Sequence, residues 1–335
     1  AHHQGRSFEG SGMKRAVLLD TSVASTNIGD QIIMEAVREQ LDRPLKDVLI
    51  ASVASHDTMG TKGRAMVQAA DLVVAGGSNL ISSHQWLRSV WRLSPRDAFL
   101  GMNVVLMGVG WYQHQMKPDP YTRWLLRRVL HPTALHSVRD SQAQAMLAAI
   151  GITNTVNTGC PTLWNLSPER CAALPRARAD EVVTTLNTYI PDRAADGRLI
   201  ETLRSRYKVI HAWVQTAEDH DWLRSFGDDI RILEPSLSAY DRLLREAPSL
   251  DYVGNRLHGG IRALQHGRRA IIVEIDNRAQ EMGRDFNLPT VARDDFARLE
   301  AMIDGDLAIA VTPPVEAIAR WKSSLVSTLE AGRGR

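Results

Sequence analysis

Two rhythms of apolar residues alternate along this chain. Short apolar runs at Ala16 to Leu19, Leu72 to Ala75 and Val104 to Val109 read as buried strands. Between them, Ile32, Ile33, Ala36, Val37 and Leu41 recur at helical spacing, and "YTRWLLRRVL" predicts an amphipathic helix. "ALHSVRDSQAQAMLAAIG" follows as a strand and a helix, with Asp140 or Ser141 as the helix cap. The same alternation resumes near Glu181. Strands "VVTTLN", "KVIHAW" and "IRIL" are separated by helices "DGRLIETLRSRY", "AEDHDWLRSFG" and "LSAYDRLLREA". Asp251 to Val253 and Ala270 to Val273 then flank a helix that carries Ile261, Ala263 and Leu264. Such a βαβ unit crosses over right-handedly and puts both strands in one parallel sheet. The pattern predicts an α/β protein with two doubly wound, Rossmann-like domains facing a cleft.

The boundaries follow from where the rhythm breaks. Residues 1–12 read as an expression-tag remnant, with Met13 as the natural start and a strand too soon after it for a signal peptide. Residues 13–168 form the expected first domain and 181–312 the second. The basic, proline-bearing stretch 169–180 is the expected linker. Residues 313–335 supply a helix and tail that pack back on either domain.

Composition narrows the function class. With 44% apolar and 23% charged residues the chain is an ordinary globular one, and a formal charge of +2 without a dense basic block argues against nucleic acid. Cys160 and Cys171 are too few for a disulfide framework and lack metal spacing, so free thiols in a reducing, cytoplasmic compartment are expected. Runs such as Val104 to Val109 are far too short to span a bilayer, which leaves peripheral membrane contact open. The stretch 84–96 carries Trp86, Arg88, Trp91 and Arg92. It reads as a half-buried helix with charged edges in preference to a lid or acceptor platform.

Open parallel sheets bind ligands beyond the carboxyl ends of their strands. Arg256 and His258 stand in that position after Asp251–Val253, as does Arg139 after "LHSV". Asn27 to Asp30 would lie at a helix N-terminus, where unsatisfied N–H groups attract anions; a plain N-cap is the simpler role for Asp30. Gly76 and Gly77 end a strand and let its backbone approach either a ligand or a neighbouring element. Asp276, Asn277 and Arg278 form a polar tip after the Ala270 strand. The unadorned alternative for His258 is packing at a helix start.

Four motifs in this order, "NIGDQ" from Asn27, "AGGSNL" from Ala75, "SVRD" from Ser137 and "NRLHGGIRALQHGRRAIIV" from Asn255, resemble the polysaccharide pyruvyl transferase family, with a likeness running from about Asn27 to about Pro289. The resemblance implies a fold like that of GT-B glycosyltransferases, with the active site between the domains. It further implies transfer of a pyruvyl group from phosphoenolpyruvate to a sugar as a cyclic ketal, in cell-surface or exopolysaccharide biosynthesis. Arg256 and His258 match the family's Arg-x-His, associated with the donor, and Arg139 matches its Ser-x-Arg-Asp. In place of a Tyr-Asp-x-Lys-like segment this chain has "EIDNRA", which puts Arg278 where a lysine is usual; the two are not interchangeable.

The expected site follows. His258 is the general acid or base, and Asp30 activates or orients the acceptor hydroxyls. Arg256, Arg139 and Arg278, with the backbone at Leu257 and Gly259, serve the donor; Asp276 shares the role of Asp30, and Asn255, Asn27, Gly29, Gly76 and Gly77 complete the substrate-binding set. No cofactor or metal is expected beyond phosphoenolpyruvate as donor substrate. The acceptor is a lipid-linked glycan, a nucleotide-sugar or a glycoside. Two alternatives stay open, a nucleotide-sugar glycosyltransferase and a non-catalytic glycan- or anion-binding relative.

Overall fold

The computed structural model describes residues 12–87 and 90–332. Arg88 and all but the last residue of the segment read as a tag lie outside them. The first half runs β1 (Arg15–Asp20), α1 (Gly29–Asp42), β2 (Leu49–Ala54), α2 (Thr61–Ala69), β3 (Leu72–Gly76), α3 (Pro95–Phe99), β4 (Val104–Met107), α4 (Pro120–Val129), β5 (His136–Val138), α5 (Ser141–Ala149) and β6 (Thr155–Asn157). Helix α6 (Pro168–Ala172) starts at the last residue of the expected first domain and runs into the stretch expected as linker. The second half runs β7 (Glu181–Thr184), α7 (Arg193–Arg204), β8 (Val209–Ala212), α8 (Ala217–Arg224), β9 (Arg231–Ile232), α9 (Leu237–Glu246), β10 (Leu250–Gly254), α10 (Leu257–Gln265), β11 (Ala270–Glu274), α11 (Asn277–Phe286), β12 (Thr290–Ala292) and α12 (Phe296–Asp304). Helix α13 (Val315–Ala331) follows.

All strand pairings in both halves are parallel. Helices therefore cover both faces, and strands such as β3, β4 and β10 are buried at every position. The first sheet has the order β2-β1-β3-β4, and a bridge between Val109 and Val138 carries it on to the β5-β6 pair. The second has the order β12-β11-β10-β7-β8-β9. Each order reverses once, between β1 and β3 in the first sheet and between β7 and β10 in the second. A crevice opens at such a switch point because the adjoining loops leave on opposite faces. The two crevices face each other.

The halves are joined through α1. Its Ile32 belongs to the same apolar cluster as Leu257 and Ile261 of α10, and the Ile28 N–H donates to the Gln215 carbonyl oxygen at 2.9 Å. On the far side, Asp285 of α11 accepts from the Ser141 N–H at 2.7 Å and from the Asn157 amide at 2.9 Å.

Helix α13 returns to the first half. Trp321, Leu325 and Leu329 pack among Ala16, Leu18 and Val105, and Lys14 Nζ donates to the Leu329 carbonyl at 2.7 Å. Burying these three side chains contributes on the order of 6 kcal/mol.

The stretch 84–96 departs from its expected helix. Its described residues up to Ser94 form turns and irregular chain, and only Pro95 and Arg96 enter α3. The tryptophans there have opposite fates, since Trp91 is buried in the first core and Trp86 is exposed. Two such environments cannot share one helical stripe.

Candidate active site

The facing crevices form a cleft of about 500 Å³. From the first half come Ala24 to Asn27 and Asp30 after β1, His56 after β2, Ser78 and Asn79 after β3, and Tyr112 and Gln113 after β4. From the second half come Tyr189 and Ile190 after β7 and Asp276 to Arg278 after β11. Of the residues expected from the sequence, Asn27, Asp30, Asp276 and Arg278 line this cleft.

Asp30 is not the N-cap of α1. Ile28 holds that position, so the Asp30 carboxylate is left free within the first turn and accepts the Ser25 hydroxyl at 2.5 Å. His56 Nε2 stands 3.9 Å away. Burial raises its pKa above the ordinary aspartate value, against the pull of Ser25, His56, Arg278 and Arg256. Across the cleft, Asp276 caps α11 by accepting from the Arg278 N–H at 2.9 Å, and it binds the same residue's guanidinium at 2.8 Å and 2.5 Å. Burial pushes the Asp276 carboxyl up, but Arg278 outweighs it and holds the group below the usual range.

Arg139, Arg256 and His258 are buried and do not line the cleft, and the two arginines are tied to its wall. Arg139 is fully buried at the end of β5, where it donates to Asn79 and stands 3.5 Å from Asp140. Its Nε and Nη1 have no hydrogen-bond partner. Gly110 makes room for it, since a Cβ there would overlap the guanidinium. Arg256 occupies the N-cap of α10, is paired with Asp219, lies 4.8 Å from the Tyr189 ring centroid and keeps its Nε unpartnered. A buried N–H without a partner costs roughly 1–3 kcal/mol. Three such groups beside one cleft fit an anionic ligand that takes two or more oxygens.

His258 sits in the first turn of α10, and its Nε2 is 3.6 Å from Cys160 Sγ. Burial, then Arg278 and Arg139, press its pKa well below the ordinary imidazole value, so it is neutral. The Cys160 thiol is pushed up by burial and stays protonated. Cys160 escaped the sequence reading because a lone cysteine carries no spacing signal. Gln215, with a buried and unpartnered Nε2, escaped it for the same reason. Asn79, Tyr112 and Tyr189 were findable as residues just past a strand end; Asn79 stands inside a quoted motif.

The expected glycines and Leu257 lie elsewhere. Gly76 and Gly77 face α1, where added Cβ atoms would strike Val37 and Ile33; of the two uses open to this pair, the structure selects close packing. A Cβ on Gly29 would meet Gln215, and one on Gly259 would come within 3.2 Å of the Tyr252 hydroxyl. The Leu257 side chain is in the second core, and the buried Asn255 amide reaches Asp196 at 3.4 Å.

Among the described residues, no group of three or more His, Cys, Asp or Glu side chains is placed to hold a metal, and no helix is long and apolar enough to cross a membrane.

Comparison with known proteins fits this geometry. The family model described as polysaccharide pyruvyl transferase matches residues 27–277, from the cleft loop after β1 to the first residue of α11. Among solved structures, S. aureus MnaA in a co-structure with UDP superposes with a TM-score of 0.51 at 11% identity, over 92% of this chain and 95% of that one. The UDP-GlcNAc 2-epimerase of Neisseria meningitidis, bound to UDP-GlcNAc, gives 0.43 at 12% identity, over 96% and 100%. No curated protein matches the chain in sequence. The fold is GT-B-like, with two Rossmann-like halves around the cleft.

Proposed function

Because this chain belongs to the polysaccharide pyruvyl transferase family, we propose that its cleft moves the pyruvyl group of phosphoenolpyruvate onto two hydroxyls of a sugar as a cyclic ketal. The observation that carries the reading is the set of buried, incompletely bonded guanidinium nitrogens of Arg139 and Arg256, with Arg278 on the wall beside them. Phosphoenolpyruvate presents a carboxylate and a phosphate a few atoms apart. Guanidinium forks and the N-terminus of α10 suit such a trianionic head.

The reaction adds a proton to the enol methylene and the first sugar oxygen to the adjacent carbon. Phosphate then leaves with the C–O electron pair, and the second sugar oxygen closes the ketal. The two hydroxyl protons balance the one gained by the new methyl group and the one gained by phosphate. Asp30, in the first-half wall with a raised pKa, accepts a proton from the acceptor hydroxyl. His258 is neutral in the free protein, so it begins as a base or hydrogen-bond partner. A bound trianion beside it offsets Arg139 and Arg278 and restores its capacity to donate a proton. Tyr112 and Tyr189 offer ring faces to the acceptor sugar.

The test combines thermal shift with turnover. Phosphoenolpyruvate should stabilise the wild type, UDP- and GDP-sugars should not, and Arg256→Lys, which keeps Asp219 paired but loses the fork, should lose the shift. Asp30→Asn should keep the shift and lose about 10²–10⁴-fold in acceptor-dependent phosphate release. A shift with a nucleotide-sugar alone would replace this reading by that of a glycosyltransferase.

A further inference from the structure

Beside the cleft, the first half exposes large apolar side chains where a soluble surface normally hides them. Trp86 is 66% exposed, Leu87 65%, Phe99 72% and Met116 84%. They lie on adjoining segments. The Gln85 N–H donates to the Thr122 hydroxyl of α4 at 3.0 Å, and the Ser83 hydroxyl donates to the Met116 carbonyl at 2.5 Å. The Phe99 ring of α3 meets that of Trp124 on α4 at 5.8 Å between centroids. The outer face of α4 adds Arg123, Arg127 and Arg128, all exposed.

Charge sets this surface apart. Residues 90–131 hold six Lys and Arg against two Asp and no Glu, so they carry +4 where the whole chain carries +2. Neither acid offsets the outer charge. Asp97 is buried and paired with Arg64, and Asp119 caps α4 by accepting from the Thr122 N–H and lies 3.3 Å from His84. Exposed tryptophan and leucine among arginines is the composition of a surface that inserts apolar side chains between anionic headgroups. A second copy of the chain fits poorly, because a twofold contact would bring like charges together.

We propose that this rim docks on an anionic lipid surface and brings the cleft to acceptors carried on a lipid. Val90, Tyr112 and Gln113, from the same part of the chain, line the cleft, so docking sets its mouth near the headgroups. The acceptor class rests on the function proposed above; the docking itself does not.

Vesicle flotation tests it. The wild type should bind phosphatidylcholine vesicles that contain phosphatidylglycerol, in a salt-sensitive way, and ignore pure phosphatidylcholine. Trp86→Ser with Leu87→Ser should abolish binding. Arg123→Glu with Arg127→Glu should weaken it by at least about fivefold per residue. Both variants should keep wild-type melting and the phosphoenolpyruvate shift. No binding by the wild type, equal binding by the variants, or a wild-type dimer broken by the Trp86 and Leu87 changes without vesicle binding would each overturn the proposal. A phosphoenolpyruvate shift without vesicle binding refutes docking alone, and vesicle binding without that shift refutes the donor reading alone.

Discussion

Replacing Arg139 by methionine separates a donor ligand from a structural cation. The side chain is fully buried, and two of its nitrogens lack hydrogen bonds. Removing them relieves roughly 2–6 kcal/mol of unmade bonding, at about 1–3 kcal/mol each. Against this, Asp140 and Asn79 lose their cationic partner, which costs about 3–5 kcal/mol for a buried pair. The opposing terms largely cancel, so stability without ligand should change by no more than about 3 kcal/mol in either direction. The ligand increment should behave otherwise. Phosphoenolpyruvate at a hundred times its Kd should add about 2.7 kcal/mol to the wild type and nothing measurable to the variant. Urea unfolding of both proteins, with and without phosphoenolpyruvate, reads all four values. A loss of more than about 5 kcal/mol without ligand, with the increment intact, would show that Arg139 holds the fold and not the donor.

Three further outcomes follow from buried groups. His136 is buried, accepts from the Leu106 N–H at 3.3 Å through Nδ1 and donates to the His131 carbonyl at 2.9 Å, and burial lowers its pKa to about 4. Its folded pKa lies below the unfolded one, so stability is complete above about pH 6.5 and falls by roughly 3 kcal/mol in all as pH drops toward 4; His136→Asn should flatten that fall in urea titrations. Gly77 has φ +61° and no room for a Cβ beside Ile33, so Gly77→Ala should cost about 2–4 kcal/mol, read as a lower Tm, while the protein that remains folded keeps its affinity for phosphoenolpyruvate. The depressed His258 predicts proton uptake when phosphoenolpyruvate binds near neutral pH, and calorimetry in two buffers should find that uptake reduced in His258→Asn.

The strand–helix alternation was legible because parallel strands buried on both faces read as continuous apolar runs, as in β3 and β4. Strand β2 went unread because it lies at the sheet edge, and "LIASVA" is exposed or half-exposed throughout. Residues 84–96 misled because aromatic and basic residues at near-helical spacing mimic an amphipathic stripe, whereas Trp91 packs inward from irregular chain. At the site, Arg256 and His258 were visible as a polar break between a strand and a helix. What their neighbours are, Cys160 for His258 and Tyr189 for Arg256, depends on contacts across 98 and 67 residues that no local pattern encodes. The glycines show the complementary difficulty. Absence of a side chain announces a close approach without naming what approaches, and here it is helix α1, Gln215 or Tyr252.

The return of α13 has a consequence for biogenesis. The first half is synthesised before the second, yet the seat of Trp321, Leu325 and Leu329 beneath β1 and β4 is filled by a helix made after the second half. On the ribosome the first half must wait, part of its apolar face uncovered, while the second is translated. A stop codon at 315 would leave that wait unended, with a chain that keeps every cleft residue but is prone to aggregate through the uncovered seat.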